Sequence, residues 1–458
     1  MGAALLFFPS CSDDNAPTEP ENPPVIETPD EDDNTDLTPI DFSHDYTQAP
    51  IGAAPSVVKY TQTLSTVNDQ PFLPLMLYGV EIADMPQVKK YGFNVVHTYH
   101  TRDAGKEESD WLAYMDAAQK NGLMVFFNLD GATLNAEKEA KIKQMVKCVK
   151  NHPALFCWYL ADEPSAKNIA PATLKSMYSW IKSEDPNHPI VSSNWELGNF
   201  MGCCDADMRQ LYNGLPSRQT EPLDNYLEKQ NNHKKTWIAI LNAHDRGWGY
   251  EIEHPANPSQ VFGKLADAGY KAGDPEWETE KARWQPFLND LEHPERYGFT
   301  LSPAFPKTAE EVRGSLYWAL LHGSNGLAYW LYCNPSTLNL RYGWYTTFHQ
   351  TLTRESIQKT FKEFGELSKY LINPAEYTNS FMTPQGIFVW SRQIGKRRMV
   401  VMLNETGDDF NKPIDLTKLY LTNGRLRIYN EDNRLIRMEG NQFTDSFTKE
   451  GVHVYFTE

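Results

Sequence analysis

Asn151-His-Pro-Ala-Leu-Phe-Cys-Trp-Tyr-Leu-Ala-Asp-Glu-Pro164 is the stretch whose reading decides the fold. An apolar run of strand character, Ala154 to Leu160, stops abruptly at Asp162 and Glu163. Pro164 blocks its continuation, because proline has no N–H to give to a sheet. A pair of carboxylates therefore stands at the carboxyl end of a buried strand. In an α/β barrel that is the face on which catalysis is built. Glu163 is the first candidate for a general acid.

The pattern repeats outward from this strand. Short apolar strands alternate with helical stretches from residue 71 to about 345, which argues for parallel β/α units. The strands read at Leu73–Ile82, Phe93–Tyr99, Leu123–Leu129, Leu155–Ala161, Ile190–Ser193, Met208–Tyr212, Thr236–Asn242 and Gly326–Tyr332. The sixth is the weakest. Helices fall between most of them, at Glu108–Asn121, Glu137–Lys150, Ala172–Ser183 and Ala309–His322. Gly122 follows the first of these as a C-cap. Eight strands with intervening helices predict a (β/α)8 TIM barrel over residues 51–375.

Residues 246–308 are too long for an ordinary loop. They carry Trp248, Tyr250, Tyr270, Trp277, Trp284, Phe287 and Tyr297. The expectation is an ordered insertion over the catalytic face, with some of these rings forming its own core. After a helix near Arg354–Leu371 the helical pattern ends. Residues 376–458 read as a C-terminal all-β sandwich, with strands at Gly386–Trp390, Arg398–Leu403, Arg425–Tyr429 and Val452–Phe456. It holds no evident catalytic cluster, so a packing or accessory role is expected.

The formal charge of −17 is unevenly spread. Residues 1–50 hold 12 Asp and Glu and no Lys or Arg, which leaves 48 acids against 43 bases in the remainder. Residues 12–50, rich in Pro, Asp, Glu, Asn and Thr, read as a disordered acidic tether. Before them, residues 1–11 form a short apolar stretch ending in Pro-Ser-Cys11. It is too short to span a membrane and looks like the end of a signal peptide. It resembles a bacterial lipobox, although it has no basic segment, and Phe8 and Pro9 stand where an aliphatic and a small residue are usual. The resemblance implies a secreted or cell-surface protein, held to a bacterial outer membrane through lipid at Cys11.

No basic patch argues for nucleic acid. The six cysteines, Cys11, Cys148, Cys157, Cys203, Cys204 and Cys333, lack zinc-ligand spacing and are expected mostly as buried thiols. His97 and His100 are three apart, which on a strand sends them to opposite sides. No metal and no cofactor are expected. Aromatic residues make up 12% of the chain, including 12 Trp and 23 Tyr. Flat rings suit carbohydrate, but large barrels also bury many aromatics.

Hydrolysis of a glycosidic bond needs a proton donor for the leaving oxygen and a second carboxylate acting as nucleophile or base. The donor must stay protonated near neutral pH, through burial or a neighbouring carboxylate. Glu163 meets this need, with Asp162 beside it. Asp162 could instead cap the next helix or hold a neighbouring Arg or Tyr.

The stretch Asn151–Pro164 resembles the fourth-strand motif of clan A glycoside hydrolases, (β/α)8 enzymes whose acid/base Glu ends that strand. Those enzymes usually have Asn before the Glu; here Asp162 replaces it, as in a subset with an Asp-Glu-Pro ending. EVRGSLYWALLHGSNGLAYWLY, Glu311–Tyr332, resembles the seventh helix and eighth strand of the same group. The resemblance implies that Trp330 lines the subsite of the cleaved sugar. It covers about residues 71–345.

One departure matters. The clan places its nucleophile Glu at the end of strand seven. Here that strand reads Trp237-Ile-Ala-Ile-Leu-Asn242-Ala-His244-Asp245, without a Glu. Asp245, Glu251 or Glu253 could supply the second carboxylate from just beyond the strand, and Glu196 could supply it after strand five. Glu251 and Glu253 read equally as solvated loop acids. Other strand ends offer Glu81, His97, Tyr99, His100, Asn128, Asp130, Asp207, Tyr212 and Asn242. Tyr99, His100 and Asp130 are favoured because they come last on their strands.

The expectation is a monomeric glycoside hydrolase acting on a poly- or oligosaccharide. Glu163 is its general acid/base, and Glu251 and Glu253 are candidates for the second carboxylate. Asp162, Tyr99, His100, Asp130, Asn242, Trp330, Tyr212 and Trp248 are expected around the substrate. A non-catalytic surface glycan-binding protein on a degenerate barrel is the alternative. Unrelated hydrolytic or lyase chemistry is a third, because fold does not fix function.

Overall fold

The computed structural model describes residues 39–61, 64–103, 105–129, 136–194, 200, 202–211, 236–241, 271–275, 277–278, 282, 308–332, 351–372, 377–421, 424–431 and 434–458. Three short strands come first: β1 (Val58–Tyr60), β2 (Ser65–Val67) and β3 (Gln70–Phe72), paired antiparallel. Asn68 and Asp69, both in the left-handed region, make the two-residue turn between β2 and β3.

Eight strands then close a parallel barrel. They are β4 (Leu75–Leu77), β5 (Val95–Val96), β6 (Met124–Asn128), β7 (Leu155–Asp162), β8 (Ile190–Ser193), β9 (Ala206–Gln210), β10 (Thr236–Leu241) and β11 (Leu327–Tyr329). The TIM barrel expected from the sequence is therefore present, and β7 is its fourth strand. Both faces of most of these strands are buried, which explains the near-continuous apolar runs. Met76, Met124, Phe126, Phe156, Tyr159 and Met208 fill the inside. Leu75, Phe127, Trp158, Leu160 and Leu241 belong to the layer facing the helices.

Those helices are α1 (Met85–Lys90), α2 (Glu108–Lys120), α3 (Ala136–Val149), α4 (Pro171–Glu184), α5 (Ala309–Leu321) and α6 (Thr351–Leu371). Their starts are chemically marked. Thr308 and Glu311 form a reciprocal capping box on α5, and Pro171 opens α4. Gly122 ends α2 in the left-handed conformation, as read from the sequence.

Boundaries differ from the sequence reading at several strands, the eighth among them, which runs Leu327–Tyr329 and not Gly326–Tyr332. The first is shorter than Leu73–Ile82, because the chain turns at Gly79 with φ +73° and enters a 3-10 turn at Ile82–Asp84. The second is shorter than Phe93–Tyr99, since His100 already begins a 3-10 turn. The sixth lies two residues earlier than Met208–Tyr212. The β1–β3 sheet escaped the reading. Its Phe72 and Tyr60 rings lie edge-on against Phe156, with centroids 5.6 and 5.8 Å away, so it plugs the amino-terminal end of the barrel. The carboxyl-terminal end is left for the site.

The tether read as residues 12–50 needs correction at its end. Residues 39–50 lie against the barrel. The Tyr46 N–H donates to Ser368 Oγ at 2.9 Å, and Asn94 Nδ2 donates to the Thr47 carbonyl at 2.7 Å. These buried contacts anchor a segment whose composition alone signals disorder. Residues 1–38, including Cys11, lie outside the described residues, as does most of the 246–308 insertion. No helix among the described residues is long and apolar enough to cross a membrane.

The C-terminal part is all-β and antiparallel. Its strands are β12 (Tyr377–Met382), β13 (Ile387–Ile394), β14 (Arg397–Asn404), β15 (Phe410–Asp415), β16 (Arg425–Ile428), β17 (Leu435–Arg437), β18 (Gln442–Phe447) and β19 (Val452–Thr457). They form a six-stranded sheet ordered β12-β13-β14-β19-β16-β17 and a two-stranded sheet β15-β18. Val389, Val400, Phe410, Phe443 and Tyr455 share the core of this unit. The other face of the large sheet is apolar as well. Its Phe388, Trp390, Val401 and Phe456 join the core around the barrel helices, with Phe456 5.1 Å from the Tyr370 ring of α6.

Candidate active site

β7 carries eight residues to the barrel mouth, and the first seven are buried. Immediately after it, Glu163 takes φ +48°, a left-handed conformation that is costly for a residue with a side chain. Two backbone bonds brace it. Its N–H donates to the Ser193 carbonyl at 2.8 Å, and its carbonyl accepts from the Lys167 N–H at 3.1 Å. The sharp turn ends the strand and leaves the Glu163 side chain half-buried at the rim. Strain of this kind concentrates at functional positions.

The Glu163 carboxylate meets a partner that the sequence reading missed. Gln210, the last residue of β9, donates through Nε2 to Glu163 Oε1 at 2.7 Å. The same nitrogen donates to Ser193 Oγ at 3.2 Å. The ends of three consecutive barrel strands thus converge on one carboxyl group. A signal for Gln210 was present. On a strand, alternate residues share a face, so Ala206, Met208 and Gln210 point inward together.

Asp162 has a different task. Tyr159 donates its hydroxyl to Asp162 Oδ1 at 2.8 Å, and Lys167 Nζ donates to Oδ2 at 3.1 Å. Of the roles open to Asp162 in the sequence, holding a tyrosine is the one the geometry selects. Burial, reinforced by the Asp162 charge, holds the Tyr159 hydroxyl well above the usual phenol range, so it stays a donor.

On the other side of the mouth, Trp330 follows β11 and Tyr99 follows β5. The Trp330 indole N–H donates to the Tyr99 hydroxyl at 3.1 Å. Tyr99 also stacks on Tyr78 at 6.2 Å and meets the His97 ring edge-on at 4.5 Å. His97 is buried in this aromatic layer and lies flat on Phe126 at 4.7 Å. His100 is exposed and bonds Asp103 through Nδ1 at 2.6 Å, with Glu81 3.6 Å from Nε2. The two histidines thus part, as their spacing implied. Among the described residues no cluster of His, Cys, Asp and Glu could hold a metal ion.

Glu81 accepts from Thr98 Oγ1 at 2.9 Å, and buried Asp207 accepts from Asn194 Nδ2 at 2.7 Å. Glu81 is exposed, whereas Asp207 is buried and belongs to the frame. Asp130, Glu196, Tyr212, Asn242, Asp245, Trp248, Glu251 and Glu253 lie outside the described residues. Of the sequence-derived candidates, the described structure places Glu163, Asp162, Tyr99, His100 and Trp330 on the carboxyl-terminal rim of one barrel.

Comparison with known proteins points the same way. Residues 84–261 match the family model described as glycosyl hydrolases family 2, TIM barrel domain. The barrel is similar to those of glycoside hydrolases. The matched segment runs from the end of the first 3-10 turn to beyond β10, and so includes Glu163 and Gln210. Among solved structures, one described as a glycoside hydrolase is similar with a TM-score of 0.54 and 13% identity, covering 88% of this chain and 96% of that one. A glycoside hydrolase family 5 protein from Bacteroides vulgatus gives 0.52 and 12%, covering 88% and 93%. An Anoxybacillus alpha-amylase gives 0.51 and 11%, covering 82% and 89%. At such identities the likeness is one of fold. No curated protein matches the chain.

Proposed function

We propose that this protein is a glycoside hydrolase in which Glu163 is the general acid/base. The observation that carries the reading is the placement of Glu163. Its carboxyl group follows the fourth strand of a closed barrel, on the carboxyl-terminal rim, inside the segment similar to a glycosidase barrel domain. In this reading Glu163 protonates the leaving oxygen as the glycosidic bond opens towards an oxocarbenium-like state, then draws a proton from water. Trp330 and Tyr99 offer aromatic faces to the sugar ring. Glu251 or Glu253, beyond the seventh strand, supplies the second carboxylate, with Asp245 and Glu196 as the other candidates. The substrate is a poly- or oligosaccharide met outside the cell, with the chain held at the outer membrane through Cys11.

The test is Glu163→Gln assayed on a panel of polysaccharides and aryl glycosides. Loss of an acid catalyst lowers turnover about 10²–10⁴-fold on natural leaving groups. The loss is much smaller on aryl glycosides whose leaving group needs no proton. Unchanged turnover on natural glycans removes Glu163 from the reaction. Glycan binding without turnover by the wild-type protein points instead to a surface binding protein on this barrel.

A further inference from the structure

We propose that Gln210 is a positioning residue for Glu163, fixing its carboxyl group against the β8–β9 edge of the barrel. This rests on the assignment of Glu163 as acid/base. The two hydrogens on Gln210 Nε2 have two acceptors, Glu163 Oε1 at 2.7 Å and Ser193 Oγ at 3.2 Å. Ser193 is fully buried at the end of β8, and its carbonyl already holds the Glu163 N–H. Both the backbone and the side chain of Glu163 are thus tied to the β8–β9 edge. Its left-handed φ of +48° makes such external support necessary.

Among the described residues, the charged neighbours have other commitments. Lys167 and Tyr159 bond Asp162, and Asp207 bonds Asn194. Arg209 precedes Gln210 and by strand alternation faces away from it. Among the described residues a neutral amide, Gln210, is therefore the side chain that meets the Glu163 carboxyl group. An amide has a donating and an accepting side, and a serine hydroxyl can do either. When Glu163 takes up a proton, rotation of the amide presents Gln210 Oε1 to the new O–H. Both protonation states of the carboxyl group therefore find a partner in the same place.

Gln210→Met keeps the length of the side chain and removes both hydrogen-bonding faces. Loss of positioning in this variant is expected to lower kcat about tenfold, with KM changed less than about twofold. A purely structural role would lower the folded fraction and leave kcat per folded molecule unchanged. Ser193→Ala removes the second acceptor of the amide and is expected to lower kcat in the same direction by less, which keeps the test decisive if the Met variant does not fold. A substrate-free readout separates this inference from the glycosidase reading. In protein labelled with 13C at the glutamate carboxyl, with the Glu163 signal assigned through Glu163→Gln, the signal at neutral pH should shift or broaden in Gln210→Met. A signal unchanged in both variants overturns the role of Gln210, whether or not glycans are cleaved. A changed signal with no glycan turned over by the wild-type protein overturns the glycosidase reading alone.

Discussion

The indole N–H of Trp330 donates to the hydroxyl of Tyr99, joining the end of the eighth barrel strand to the end of the second. The bond spans the first strand, β4, which pairs with both. It sets the Trp330 ring at the mouth and explains why two residues 231 positions apart act as one wall. Trp330→Ala removes the apolar face and is expected to weaken glycan binding by about 10- to 100-fold, from a loss of about 1.5–3 kcal/mol. Tyr99→Phe removes one acceptor and costs about 1 kcal/mol. Isothermal titration with a bound oligosaccharide measures both. Equal affinity in Trp330→Ala and wild type would take Trp330 out of the substrate site.

Asp162 is expected to matter for stability through Tyr159 rather than through Lys167. Tyr159 is buried, so Asp162→Ala strands its hydroxyl and costs about 1–3 kcal/mol. The Lys167 pair is one-third exposed and contributes less than about 1 kcal/mol. Urea unfolding of Asp162→Ala and Lys167→Ala should therefore separate clearly. A larger loss in the lysine variant contradicts this ordering.

At the opposite end of the barrel, Asp185 and His188 form a buried pair, with Nδ1 2.7 Å from Oδ2. Trp158 Nε1 also donates to Asp185 at 2.8 Å, and Ser56 Oγ lies 3.0 Å from His188 Nε2. Burial by itself raises the Asp185 carboxyl, but the hydrogen bond and charge of His188, with donation from Trp158 and the Asn187 N–H, outweigh it and hold the group below its ordinary value. Its stabilisation is then fully present above the unfolded value of about 4. It is lost as pH falls through the lower folded value, because the unfolded chain binds the proton first. Stability should fall in that acid window, and Asp185→Asn should flatten the fall while costing about 3 kcal/mol near neutral pH. Denaturant midpoints followed from neutral to acid pH test this. A variant with the same acid slope as the wild type shows that other groups set it.

Gly314 in α5 faces the carbonyl oxygen of Glu450, the residue before Gly451 in the turn leading to β19. A Cβ at this position would lie well inside contact distance of that backbone oxygen. Gly314→Ala, which favours an isolated helix by about 1 kcal/mol, is expected here to destabilise by about 1–3 kcal/mol. The neighbouring bond from Arg313 to the Val452 carbonyl should loosen as well. A thermal melt showing a raised midpoint would mean that this close approach is not held in solution.

Much of this was legible in residue order. The run from Leu155 to Leu160 is apolar at every position, and only a strand covered on both faces tolerates that. The strand-end position of Glu163 could be read because a proline follows it, and that of Trp330 because it follows an apolar strand. Gln210 was missed because its strand is disguised. Asp207 and Arg209 interrupt the apolar pattern, although Asp207 is fully buried and satisfied by Asn194. A polar residue buried with its partner looks, in sequence, like a surface residue. The docking of residues 39–50 was hidden for the opposite reason. Their acidity and prolines signal disorder, while Asn94 and Ser368, far away in the chain, hold them in place.

The sequence by itself determined the alternation of strands and helices, the position of Glu163 at the end of the fourth strand, and the change to β-structure after residue 376. These follow from local patterns of burial, whose periods of 2 and 3.6 are written along the chain. Only the tertiary structure decided that Gln210 meets Glu163, that Asp162 serves Tyr159, and that the large C-terminal sheet spends its second face on α5 and α6. Such contacts join residues distant in sequence, and they depend on register and closure of the barrel, which no local pattern encodes.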